Sequence, residues 1–362
     1  MDTISSPGET LRNSSNETVC EIQDGFLAEA LPAMYSIISI IGFCSNMLAL
    51  WAFQFGTQKT TSITVYMKNL VISDLLLALC LPFRAAYQNQ SGPVILCKVV
   101  GIVFYITMYV SIFLLSLISL DRFLKITKPF QQFWIHTVSH STAVARGVWL
   151  LCVAVLLVLL FEDSRRGPCS HKCFHFKNRS TLGAVSNMTA VAVFFFLLLF
   201  FLYAYSKISL KLHSVSLKKT QQCSKKTGSR AIRKTFVVLV IFIVCFTPYH
   251  VVRVPYILAQ VDIISAVWKK QALHLANELV LCISTLNCCL DPVIFFFLSS
   301  RFRKAILAAL PRKLGGALWK NQEDLNHGKS ITESRICRAE IVGGLLALRH
   351  SNQDVRKECK HI

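Results

Sequence analysis

Residues 99–120 read VVGIVFYITMYVSIFLLSLISL, a run without Asp, Glu, Lys or Arg that stops at Asp121 and Arg122. At the 1.5 Å rise of an α-helix, about 20 residues cross the roughly 30 Å hydrocarbon core of a bilayer. Backbone groups in lipid have no water to bond, so a lone run must pair them internally, as a helix does. The stretch therefore predicts a membrane-spanning helix, Val99 to Leu120, with its first charges at one bilayer face.

Six further stretches share this character. They are Ala30–Gln58; Ile63–Tyr87, broken by a single acid, Asp74, and carrying Lys68 and Arg84 toward its ends; Gly147–Phe161, which Arg146 lengthens by snorkelling; Ser180–Ser206; Thr235–Val252, continuing past Arg253; and Leu279–Ser300, which carries Asp291. The expected fold class is an all-α membrane protein, a seven-transmembrane helix bundle with a short amphipathic eighth helix. That last helix is expected at 301–310, where Arg301, Arg303 and Lys304 alternate with Phe302, Ile306, Leu307 and Leu310 before Pro311. The expected division is an extracellular tail at 1–30, a receptor-like bundle at 31–300, the surface helix at 301–310 and a cytoplasmic tail at 311–362.

The chain has 362 residues, is 53% hydrophobic and 16% charged, and has a mean hydropathy of +0.50. Its net charge of +20 would suggest nucleic acid in a soluble protein. Here the basic residues fall in loops and the tail, where anionic headgroups lie, so the expected partner is membrane and no nucleic acid. The first 30 residues lack a basic start and apolar core, so the first span is expected to act as an uncleaved signal anchor.

The loop from Lys207 to Lys234 carries nine Lys or Arg and no acid, which places it in the cytoplasm. With seven spans, the sequons at Asn13, Asn16, Asn89 and Asn178 fall on the opposite side, as glycosylation requires. A plasma-membrane, multi-pass protein with an extracellular N-terminus is expected. A fifth sequon, at Asn187, falls inside the fifth span and is not expected to be modified.

Polar residues inside spans are costly, about 2.5–3.5 kcal/mol for a charge at the helix centre. Interhelical hydrogen bonding accounts for Asn46 and Ser111. Two intramembrane carboxylates, Asp74 and Asp291, ask for more: a shared hydrated site, with Ser111 and Asn287, able to hold a cation such as sodium. No other cofactor is expected. There is no zinc-ligand cluster, phosphate loop or nucleophile triad, so the chain does not read as an enzyme. It also lacks the internal repeats of a transporter.

Gly42 to Asn46 (GxxxN), Asn69 to Asp74 (NLxxxD), SLDRF at 119–123, CFTP at 245–248 and DPVIF at 291–295 occur once each and in order. In these the chain resembles rhodopsin-like G-protein-coupled receptors over roughly residues 30–310. The resemblance implies a heterotrimeric G protein as partner, of the inhibitory type, and an activation switch. Asp121 would hold Arg122 in the inactive state, the sixth helix would swing about Pro248 beside Phe246, and Tyr205, Asp291 and Pro292 would complete the switch. It also implies a disulfide between Cys97 and Cys173, leaving Cys20 and Cys169 as further outer-face cysteines. Phe123 and Phe295 replace the usual tyrosines, and Gly228 stands where some relatives place an acid. Arg122 thus lacks a second acidic clamp, and ligand-independent signalling is expected.

An amine receptor of this family needs an acid in the outer third helix, and an opsin needs a lysine in the seventh; Val99–Leu120 and Leu273–Ser300 contain neither. The outer helix ends are instead basic, with Arg84, Arg253, His250 and His274, and Lys172 in the second outer loop. This suits an anionic ligand. Lys269, Lys270 and Arg179 read as surface charge. Glu278 beside Asn277 is out of place for a pure anion: either it neutralises an arginine, or the ligand carries an ammonium.

The run ILCKVVGxxFYxxMYxSI (95–112), CFHF (173–176) and PYHVVR (248–253) resemble the type-1 lysophosphatidylserine receptors of the purinergic-like branch. LCISTLNCCLDPVI (281–294) is similar to platelet-activating-factor receptors. The resemblance implies a lysophospholipid headgroup at Arg253, Tyr256, Asn277 and Glu278, with Tyr105 and Arg84 facing the pocket. Nucleotides, nucleotide-sugars and platelet-activating-factor-like lipids are the alternative ligands. Ala266 stands where these relatives have a cysteine, which leaves Cys20 without its expected partner.

Overall fold

The computed structural model describes residues 22, 25–54, 60–88, 90–128, 131, 133–160, 172–217, 222–299, 302, 303 and 306, with backbone alone at 156, 158–160, 211–217 and 222–235. Its helices are α1 (Leu27–Gln54), α2 (Ser62–Ala86), α3 (Val94–Thr127), α4 (Val138–Leu160), α5 (Thr181–Leu217), α6 (Gln222–Gln260), α7 (Val267–Thr285) and α8 (Asn287–Leu298), with a 3₁₀ turn at Trp134–His136 between α3 and α4. Seven helical segments are long and apolar enough to cross a membrane; α7 and α8 together make the seventh, Val267–Leu298.

Every expected span is present, and most run beyond their charge-free stretch. Charged side chains at a helix end reach the interface while the backbone stays helical, so a charge does not mark where a helix stops. Hence α3 continues through Asp121 and Arg122 to Thr127, and α4 begins nine residues before Gly147. The surface helix expected at 301–310 lies mostly outside the described residues. Phe302, Arg303 and Ile306 are helical, and Phe302 is buried against Phe53, with ring centroids 5.9 Å apart.

A proline inside α8 leaves a backbone acceptor that a neighbouring helix satisfies. Pro292 has no N–H, so the carbonyl four residues earlier, on Cys288, loses its helical donor. Asn46 of α1 supplies one: its Nδ2 donates to Cys288 O at 2.7 Å and to Gly42 O at 2.9 Å. Gly42 makes this approach possible, because a Cβ there would lie 2.7 Å from Cys288 Sγ. Hydroxyls tie other helices together. Ser39 donates to Ala78 O at 2.7 Å, joining α1 to α2, and Ser73 to Thr107 O at 3.0 Å, joining α2 to α3.

Among the described residues, α4 and α5 each pack along α3 yet scarcely touch one another. Among the described residues this leaves a side opening, edged by Leu151, Val155 and Val193, each at least 40% exposed. Residues 172–180 return across one end of the bundle. Cys173 is bonded to Cys97 of α3, with Cα atoms 5.6 Å apart, and its N–H donates to Gln90 O. At the far side, Arg179 N–H donates to Gln260 O and Gln260 Nε2 to Lys177 O, fastening this roof to the end of α6.

Candidate functional site

The roofed end holds a chain of buried polar groups across five helices. Arg253 of α6 donates from Nη1 to Asn277 Oδ1 of α7 at 3.2 Å and from Nη2 to Asn187 Oδ1 of α5 at 3.0 Å. Asn277 Nδ2 donates to Glu278 Oε1 at 3.2 Å. Glu278 Oε2 accepts from Arg84 Nη2 of α2 at 2.7 Å and from Gln88 Nε2, and Arg84 Nε donates to Tyr35 OH of α1. The chain holds two guanidinium groups and one carboxylate, so one positive charge is in excess.

That excess resides on Arg253. It donates to the neutral amides of Asn187 and Asn277, its Nε has no hydrogen-bond partner, and it is 3% exposed. The rings of Tyr105, Tyr249 and Tyr256 surround it at 5.2–5.9 Å, where their faces attract the cation. A buried cation with no counter-ion is costly to hold, and an incoming anion relieves the cost. Arg84, by contrast, is neutralised by Glu278 and enclosed by Phe104 and Phe174 at 4.9 and 4.5 Å. Phe174 adopts a left-handed backbone, φ 54°, which disfavours a side chain; its ring position over Arg84 and the adjacent disulfide hold it there.

A cavity of about 480 Å³ lies between α3, α4, α5 and the roof. Tyr105 and Asn187, the groups around Arg253, form part of its wall. Its upper part presents Lys98, Lys172, Lys177 and Arg179, and among the described residues no carboxylate side chain lines it. Burial and the like charges of Lys98 and Arg179 hold the Lys177 ammonium below the usual lysine range. The lower part is apolar, with Ile112, Phe113, Phe194 and Leu197, and reaches the side opening at Leu151 and Val155.

Of the residues expected at a headgroup, the structure gathers Tyr105, Arg253, Tyr256 and Asn277, and sets Arg84 with Glu278 in a sealed pair behind Phe174. Glu278 is paired with Arg84 in this structure. Arg179 is a correction: it read as surface charge but lines the cavity, because the bond to Gln260 turns this part of the loop inward. Asn187 went unread as a site residue because it sits in a sequon; its spacing from the fifth span's apolar residues carried no signal of a partner on α6. Phe174 and Tyr249 carried none either.

Deeper in the bundle, Asp74 and Asp291 are fully buried, and Asn287 Nδ2 donates to Asp74 Oδ1 at 3.4 Å. Asp74 Oδ2 and both Asp291 oxygens have no hydrogen-bond partner, a donor set that fits a small cation. Ser111 Oγ of α3 lies 3.3 Å from Ser73 Oγ, the residue before Asp74.

At the other end, Asp121 is committed away from Arg122. It accepts from Ser62 Oγ at 2.8 Å and Lys125 Nζ at 2.9 Å, with His136 Nε2 at 3.8 Å. Among the described residues, Arg122 Nε and Tyr205 OH have no hydrogen-bond partner. The expected Asp121–Arg122 clamp is therefore not formed in this structure, since Lys125 lies one helical turn below Asp121 on the same face and reaches it first. Phe246 is buried against Phe242, and Pro248 lies within α6. Asn178 is exposed on the roof; Asn13, Asn16, Asn89, Cys20 and Cys169 lie outside the described residues.

The sequence profile described as "7 transmembrane receptor (rhodopsin family)" matches residues 45–295. The chain is 37% identical over 317 residues to the probable G-protein coupled receptor 34 of Pan troglodytes, covering 86% of this chain and 83% of that one. It is 32% identical over 321 residues to the purinoceptor 14 of Bos taurus (85% and 92% covered), and 32% identical over 284 residues to the purinoceptor 13 of Rattus norvegicus (76% and 83%).

Proposed function

The chain belongs to the rhodopsin family of seven-transmembrane receptors, a multi-pass plasma-membrane protein that couples to heterotrimeric G proteins and is no enzyme, and on that premise we propose that it is a receptor for an extracellular lysophospholipid, lysophosphatidylserine being the first candidate. The observation that carries this reading is the two-part cavity, cationic under the roof and apolar toward the side opening. A phosphate or carboxylate meets the roof cations Lys98, Lys172, Lys177 and Arg179, with Arg253 buried behind the wall formed by Tyr105 and Asn187, and a hydrocarbon chain fills the space along Ile112, Phe113, Phe194 and Leu197. Specificity rests on the headgroup, because a chain moving from bilayer to apolar cavity gains far less than the roughly 0.8 kcal/mol per methylene of leaving water. Glu278 is committed to Arg84, so a headgroup ammonium reaches it only by displacing that guanidinium.

In this reading the roofed end faces outward, which suits a disulfide in an oxidising compartment and nine basic residues in the 207–234 segment on the inside. Binding at Arg253 biases α6, which carries Pro248, and so opens the inner end at Arg122 and Tyr205 to an inhibitory-type G protein. Asp74 and Asp291, with Asn287 and Ser111, would hold a sodium ion whose charge offsets the buried carboxylates.

A nucleotide is the second reading, favoured by the roof cations and by the purinoceptors among the relatives. It leaves the apolar half of the cavity without a partner. G-protein activation by a lysophospholipid and nucleotide panel decides between them. Lysophosphatidylserine is expected to activate the wild type and to lose potency at least tenfold on Arg253→Ala. Activation by nucleotides alone would sink the lipid reading.

A further inference from the structure

Arg253, Tyr256 and Gln260 stand at i, i+3 and i+7 on α6 and share one face, so the stripe that begins at the buried guanidinium ends under the roof. Gln260 is 4% exposed. The last carbonyls of a helix have no intrahelical donor, and Gln260 O takes the N–H of Arg179 at 3.1 Å. Its side-chain Nε2 donates to Lys177 O at 2.9 Å. A residue of a parallel strand would make the same two bonds to the extended roof, with a backbone N–H in place of the side-chain amide. One turn earlier Tyr256 meets Phe176 of the roof, with ring centroids 5.6 Å apart.

The cations of the cavity thus belong to two bodies. Lys98 is near the start of α3, and Lys172 adjoins Cys173, which is bonded to Cys97 of the same helix. Lys177 and Arg179 are carried by the backbone that Gln260 holds. Lys98 and Arg179 both repel the Lys177 ammonium. An anion among these groups reverses the force between the bodies, because each is then drawn to the same guest.

We propose that Gln260 is the positioning residue through which an anion on the roof cations moves α6. With the anion in place, the roof tightens between its α3 and α6 anchors, and the Gln260 clasp draws the outer end of α6 toward α3. Roughly 18 Å of helix separates Gln260 from Pro248, at 1.5 Å per residue. Pro248 interrupts the hydrogen-bond ladder there, so an inward shift of the outer end becomes an outward one beyond the proline. This route does not pass through Arg253, which lies behind Tyr105 and Asn187. The inference rests on the reading that an anionic group occupies the roofed cavity, and it serves a lysophospholipid and a nucleotide alike.

Coupling between two sites is reciprocal, so a G protein bound inside tightens the agonist outside. The test measures equilibrium binding of lysophosphatidylserine and of a nucleoside diphosphate to the full chain in lipid nanodiscs, with and without nucleotide-free G protein. For the probe that binds, G protein is expected to tighten the wild type at least about tenfold, and Gln260→Met by about threefold or less. Affinity without G protein is expected to stay within about threefold of wild type, since Gln260 does not line the cavity. Gln260→Asn keeps the amide but shortens its reach by one methylene, and is expected to behave as Gln260→Met does. Tightening that equals wild type in both variants overturns the role of Gln260 and leaves the anion reading standing. Affinity lost equally with and without G protein makes Gln260 a purely structural residue and also overturns it. If neither probe binds the wild type, the anion reading falls and the role of Gln260 with it.

Discussion

Arg84 of α2 and Glu278 of α7 form an ion pair at 2.7 Å, with both side chains 4% exposed, and the pair ties an early helix of the bundle to a late one. Removing one partner leaves the other as an uncompensated buried charge, at about 3–5 kcal/mol. Arg84→Gln and Glu278→Gln are each expected to lower the thermal stability of the purified receptor sharply. The double variant is expected to recover much of the loss. A double variant whose loss is the sum of the singles would show that the two do not act as a pair.

Asn187→Asp exchanges the side-chain amide for a carboxylate 3.0 Å from Arg253, neutralising the excess charge on which the proposed anion binding rests. Agonist potency is expected to fall at least tenfold with surface expression retained. Asn187→Ala, which removes a neutral acceptor, is expected to cost less. Dose–response curves for G-protein activation separate the two; equal losses would mean that charge is not what Asn187 controls.

Lys125 holds Asp121 away from Arg122. Lys125→Ala frees that carboxylate for its neighbour and is expected to lower ligand-independent G-protein activation below wild type. Nucleotide exchange measured without ligand gives the answer, and an unchanged or higher basal rate would count against the arrangement.

Gly42→Ala pushes a Cβ to 2.7 Å from Cys288 Sγ. Overpacking of this kind costs about 1–3 kcal/mol. Thermal unfolding is expected to report the loss, and Cys288→Ala in the same chain is expected to restore most of it.

The spans were legible because lipid imposes one rule on every run, internal hydrogen bonding, and composition reports it directly. Where helices end was not legible, since Asp121, Arg122 and Arg146 keep helical backbone beyond the apolar core. The aromatic cage of Arg253 was half legible. Tyr105 and Tyr256 came through resemblance, whereas Tyr249 and Asn187 depend on how α3, α5 and α6 rotate against one another, which no single helix encodes. The role of Arg179 needed the roof's path, fixed by two hydrogen bonds to Gln260 that are distant in sequence. The Asp121–Arg122 clamp was expected from adjacency alone, and adjacency on a helix points side chains apart while the fourth residue along points the same way.

The gap between α4 and α5 makes the surrounding leaflet a reservoir as well as a solvent. For a lipid agonist of the kind proposed, the tails of ordinary phospholipids would compete for such a fissure, so occupancy would be settled by mole fraction in the leaflet instead of concentration in the medium. Tail order and sterol content would then act on this receptor as a competitor's dose would.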